Sequence, residues 1–126
     1  MTSARAAYMG SMVSTASPAR LLVLLYDRLV LDLQRAIAAQ DGADHLAAGP
    51  HLLHAQDIVL ELQTSLKVDA WDGAAQLSGI YSWLHKELVR ANVERDVTAT
   101  QGCLALVVPL ADAWRQAALV ALEPSA

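Results

Sequence analysis

The chain has 126 residues, the size of one domain that can bury a core without disulfides or metals. Its net charge is −4 and its nine basic residues are scattered, with no stripe that could track phosphates, so nucleic acid is not an expected partner. Hydrophobic residues make up 55% of the sequence, but 24 of them are alanines, which form helices as readily as cores; the surplus hints at exposed apolar surface without proving it.

Residues 1–16 carry Tyr8, Met9, Met12 and Val13 among Ser, Thr, Gly and Ala, with Arg5 as the only charge. This is too weak a pattern for a core helix and predicts a flexible segment, either a disordered tail or a short helix laid in a groove through Tyr8 and Met12. The stretch Thr15 to Asp27 then opens the first long helix, with Ser17 placed to cap it and Pro18 at a first-turn position that has no N–H to waste. Leu22, Leu25 or Tyr26, Leu29, Leu33 and Ala36 line one face, and Leu21, Leu24 and Leu31 widen the apolar surface beyond a single seam. Such a helix is wrapped on several sides or left wanting a partner. It is expected to run to about Ala39, with Gln40-Asp41-Gly42 as its stop.

A second seam follows at Leu52, Ala55, Val59, Leu62 and Leu66, with a break or kink expected at Gly49-Pro50 and Pro50 opening the main part. The connection Lys67 to Gly73 carries Trp71, and Asp72 stands where it could cap the next helix. Leu77, Tyr81, Leu84, Leu88 and Ala91 form the third seam, flanked by Ile80 and Trp83, before a turn at Asn92 to Asp96. The fourth runs through Cys103 or Leu104, Val107, Leu110 or Ala111, Trp114, Ala118 and Ala121, with a bend expected at Pro109 and an end at Glu123-Pro124. Four helical patterns on short connections, with no strand-like alternation, predict an all-α, antiparallel four-helix bundle over residues 17–123.

Chemistry is hard to find. His51, His54, Asp57 and Glu61 have a 3-3-4 spacing that could face one ion, as a metal-dependent enzyme would need, but they lie about 100° from the apolar seam and read better as a solvated face. Cys103 falls on the seam of the fourth helix as a structural thiol, and Ser65, Ser78 and Ser82 lack a histidine and carboxylate constellation. Asp27 and Asp32 suit a helix-surface or inter-helix polar role. No catalytic site, metal or other cofactor is therefore expected. With one cysteine, no leader-like segment and a longest apolar run of only Leu21 to Tyr26, the expectation is a cytoplasmic protein with no membrane insertion. Tyr26, Tyr81 and Trp83 pair an apolar body with a polar tip, which suits either a core rim or a binding surface, and Trp71 could pack over the bundle's end or touch a partner.

Taken together, these residues resemble the flagellar export chaperones that bind flagellin, the FliS family. The carriers are Tyr8, the T-A-S-P and Leu-Tyr-Asp of Thr15 to Asp27, Ala55-Gln56 with Ile58-Val59, Glu61-Leu62 and Ser65-Leu66, then Ile80-Tyr81, Trp83-Leu84, Leu88, Ala91-Asn92-Val93 and Asp96. The likeness covers almost the whole chain in order. Departures are Arg28 in place of a small residue, Asp72-Gly73 in place of a glycine pair, and Lys86-Glu87 in place of a double arginine.

The resemblance implies a chaperone, not an enzyme, that holds the disordered C-terminal segment of flagellin, prevents premature polymerisation and keeps it fit for type III export. Export-gate components or flagellar regulators are further implied partners. Tyr8, Tyr26, Asp27, Ile58, Leu62, Ile80, Tyr81 and Trp83 become candidate client contacts, with residues 1–16 able to occupy part of the same groove. The alternative reading of the surplus apolar surface is a generic helical adaptor that homodimerises, so a monomer or weak homodimer is expected.

Overall fold

The computed structural model describes residues 18–67, 69 and 71–122. Four helices follow one another: α1 (Pro18–Asp41), α2 (His45–Ser65), α3 (Ala74–Val93) and α4 (Val97–Leu122), with no strand among the described residues. α1 packs on α2 and α4, α2 on α3, and α3 on α4, while the diagonal pairs stay apart, so the four helices form a square bundle. Short connections make neighbours antiparallel. One pole therefore gathers the start of α1, the end of α2, the start of α3 and the end of α4.

The seams read from helical spacing are the core. Tyr26, Leu29, Leu33 and Ala36 of α1, Leu52, Ala55, Val59 and Leu62 of α2, and Leu77, Tyr81, Leu84, Leu88 and Ala91 of α3 are all buried, joined by Cys103, Val107 and Ala111 from α4. Burial raises the Cys103 thiol to about 12, which keeps it protonated and inert at neutral pH, as its seam position implied. The expected N-terminal segment with Tyr8, and the Ser17 cap, lie outside the described residues.

Helix ends are where the structure departs from the sequence reading. α1 continues to Asp41, and the left-handed residue that stops it is Ala43 (φ 56°), not Gly42. The N–H of Ala43 reaches the Gln40 carbonyl at 2.9 Å and that of Asp44 reaches Ala39 at 2.8 Å, a Schellman closure. Asp44 then caps α2, its carboxylate accepting from the Ala47 N–H at 3.1 Å. The same device recurs after α3, where Arg95 has φ 54°, the Asp96 N–H reaches the Ala91 carbonyl at 3.0 Å, and Asp96 caps α4 through the Ala99 N–H at 3.2 Å. Each turn ends one helix and supplies the cap of the next.

Neither left-handed position holds a glycine, although a Cβ costs about 1–2 kcal/mol in that conformation. Ala43→Gly and Arg95→Gly are each expected to raise stability by about 0.5–1 kcal/mol, after the greater chain entropy of glycine is subtracted. Urea unfolding followed by circular dichroism checks this, with unchanged midpoints as the contrary result.

Two further expectations are corrected. Because Asp44 caps from outside, α2 starts at His45 and runs through Pro50 without a break; the bond that Pro50 cannot make would have gone to the carbonyl of Leu46, a residue 92% exposed, where water can replace it. Asp72 is not a cap: Gly73 occupies that position with no side-chain bond. α4 also continues as one helix through Pro109, with Pro109 and Ala105 both on its exposed side, so the missing bond lies toward solvent.

Candidate functional site

At the pole where α1 and α3 begin and α2 and α4 end, a cleft of about 190 Å³ opens among Leu22, Leu62, Ser65, Leu66, Lys67, Trp71, Leu77, Tyr81 and Trp114. Every helix contributes to it, together with the connection between α2 and α3. Apart from Ser65, Lys67 and the polar tips of the aromatics, its lining is hydrocarbon. Trp71 is seated by Gly73: a Cβ at position 73 would stand 2.1 Å from the indole Cζ3, so any side chain there must displace the ring.

Behind the cleft, Tyr26 of α1 and Tyr81 of α3 meet hydroxyl to hydroxyl at 2.7 Å across the bundle's diagonal. Burial raises both phenols above their ordinary range, so both are protonated at any physiological pH. The pair satisfies two buried polar tips and links two diagonally opposite helices, as the Gln40 side chain of α1 does further along by donating to the Ala91 carbonyl of α3 at 3.4 Å. The cleft floor is thus held by a fixed polar link.

Around this pole the apolar surface is incompletely covered. Leu21, Leu22, Val23, Leu24 and Leu25 are all only half-buried, the outcome expected for an α1 surface wider than one seam. α4 is also under-covered: an 18-residue window within Val97–Val120 has a mean hydropathy of 1.4, yet only 17% of that window is buried, and Leu119 and Val120 are 61% and 66% exposed. By length and composition α4 could cross a membrane, a test that the uninterrupted-run criterion missed because its apolar residues are interspersed with small ones. Its inward face is nevertheless spent on the bundle core, and Arg115 pairs with Asp112 at 2.9 Å and with Asp27 of α1. Elsewhere Leu46, Leu53 and Leu60 stand exposed at seven-residue intervals on α2.

The residues singled out from the sequence fall into three groups. Leu62 and Tyr81 line the cleft, with Tyr26 directly behind Tyr81. Ile58 is buried in the core and Ile80 is packed against it half-buried. Asp27 is exposed at the α1–α4 edge in its pair with Arg115, and Trp83 is 46% exposed on α3 outside the cleft. Tyr8 lies outside the described residues. Sequence reasoning placed Leu22, Leu66, Leu77 and Trp114 on seams without seeing that their common position at helix ends gathers them at one pole.

The inter-helix polar role expected of Asp32 is met by a partner that its spacing did not indicate. Asp32 is fully buried, and one of its oxygens meets Nδ1 of His54 from α2. Its other oxygen lies 3.3 Å from Arg28 Nε, close enough for charge attraction, although no hydrogen bond is made there. His54 therefore faces a neighbouring helix, and no group of three metal-ligating side chains is found among the described residues.

A family model described as "Flagellar protein FliS" matches residues 1–121. Similar curated proteins include the flagellar secretion chaperone FliS of Bacillus subtilis, 29% identical over 111 residues, with 88% of this chain and 83% of that one covered. The proteins of the same name from Escherichia coli and Salmonella typhimurium are each 32% identical over 111 residues, covering 86% and 84% of this chain and 82% and 80% of their own.

Proposed function

Because this chain belongs to the FliS family of flagellar proteins, we propose that it is a flagellar secretion chaperone whose client is the C-terminal segment of flagellin. It holds that segment unpolymerised and fit for export. The observation that carries the reading is the apolar cleft at the pole, continuous in chemistry with the half-buried start of α1 and the exposed end of α4. A disordered client loses backbone and side-chain entropy when it orders, and only a large apolar contact offsets that loss. Helical anchors at three- and four-residue spacing suit such a surface.

No bond is made or broken in this role. The bundle lends a second hydrophobic face to a segment that would otherwise find one on another flagellin copy, and release follows when that segment is drawn away. Tyr26 and Tyr81 act in this account by keeping the cleft floor in place, whereas Leu62 and Leu22 supply its walls. A weak homodimer through Leu46, Leu53 and Leu60 is compatible with the role and would appear as concentration-dependent sedimentation unaffected by client.

Calorimetric titration of a flagellin C-terminal peptide tests the proposal. Saturable binding near one to one, with a negative heat-capacity change from apolar burial, is the expected result. Absence of binding to this peptide sinks it.

A further inference from the structure

We infer that the apolar cleft at this pole reads the very end of its client, taking one apolar side chain at or next to the last residue while Lys67 pairs with the free α-carboxylate. This rests on the proposed client being the C-terminal segment of a chain, because only such a segment carries a carboxylate whatever its sequence.

Three observations point to it. The first is size: a cavity of about 150 Å³ lined by aliphatic and aromatic side chains holds a benzene ring, so a cleft of about 190 Å³ holds one leucine- or phenylalanine-sized group and not a helix. The second is lining. Leu22, Leu62, Leu66, Leu77 and the two indoles offer hydrocarbon on every side, which suits an anchor and rejects a buried charge.

The third is charge. Among the described residues Lys67 is the only charged one lining the cleft, in a chain of net charge −4. It is exposed, and none of the ion pairs or hydrogen bonds among the described residues uses its ammonium group. Asp69 and Asp72 belong to the same connection but do not line the cleft. An unpaired cation at the lip of a one-side-chain hydrophobic cleft is complementary to an apolar residue with a carboxylate beside it. A chain terminus supplies both in the shortest span.

The test compares two synthetic peptides of the flagellin C-terminal segment, identical except that one ends in a free acid and the other in an amide. A free carboxylate ordinarily weakens a helical peptide, since it stands at the negative end of the helix dipole. Tighter binding of the acid therefore runs against the general trend. The acid is expected to bind about three- to fivefold tighter than the amide, the range of one partly solvated ion pair, and Lys67→Met should abolish the difference without changing the fold. Ser65→Trp, at an exposed position on the rim, should fill the cleft and weaken both peptides.

If acid and amide bind equally well, or if their difference survives in Lys67→Met, the inference is overturned while the proposed function stands. If neither peptide binds, the proposed function falls and this inference falls with it.

Discussion

Replacing His54 by alanine is expected to destabilise the bundle by about 2–3 kcal/mol, more than most changes at a side chain that is 30% exposed. The reason lies on the other helix. Asp32 has no exposed surface, and among the described residues His54 gives it its only side-chain hydrogen bond. Stripping the imidazole leaves a buried carboxylate facing only Arg28, whose side chain is 48% exposed and whose Nε, at 3.3 Å, makes no hydrogen bond to it. Breaking a buried pair by removing one partner costs about 3–5 kcal/mol in general, and the residual attraction of Arg28 reduces that here. His54→Phe should lose about as much, because shape is kept but pairing is not. The double replacement Asp32→Leu with His54→Leu should return to within about 1 kcal/mol of the parent, since the charge is removed together with its partner. Chemical unfolding of the four proteins checks this cycle; a His54→Ala loss below 1 kcal/mol would show that Arg28 alone suffices.

The second large effect is on binding. Leu22→Asp is expected to weaken client affinity by about 30- to 100-fold, because it places a charge in an apolar wall where docking would bury it at a cost of about 2–3 kcal/mol. Leu22 lines the cleft yet is only half-buried in the free protein, so folding should lose far less than binding. This distinguishes it from Leu62 or Tyr81, whose replacement would disturb core and cleft together because both are almost fully buried. The measurement is the calorimetric titration repeated on Leu22→Asp, with circular dichroism as the check on folding. Unchanged affinity would move the client away from this pole.

The seams were legible in the sequence because a 3.6-residue period needs no knowledge of the partner helix. Leu77, Tyr81, Leu84, Leu88 and Ala91 illustrate this, since all five are buried as their spacing required. Helix ends were less legible, because they turn on single backbone geometries. Gly42 looked like the stop, yet the turn places the left-handed residue one position later, at Ala43. Pro50 looked like a start, yet the Asp44 cap tolerates it inside the helix.

The pairing of Asp32 with His54 could not be read from one helix at a time. A wheel puts His54 off the seam of α2, and only the packing of α1 alongside brings a buried carboxylate to it. The cleft was hidden for a similar reason. Leu22, Leu66, Leu77 and Trp114 are far apart in sequence, and their meeting follows from antiparallel packing that brings four helix ends to one pole. Trp71 carried a partial signal as an aromatic in a connection, with a neighbouring glycine that gives its ring room.

Hydrogen exchange of the full chain, with and without the flagellin C-terminal segment, locates the contact directly. Binding at the pole predicts slowed exchange over residues 21–26, 62–67 and 114–120, with the opposite turns around Ala43 and Arg95 unchanged. Slowing confined to those opposite turns, or none at all in a complex that demonstrably forms, would contradict the account.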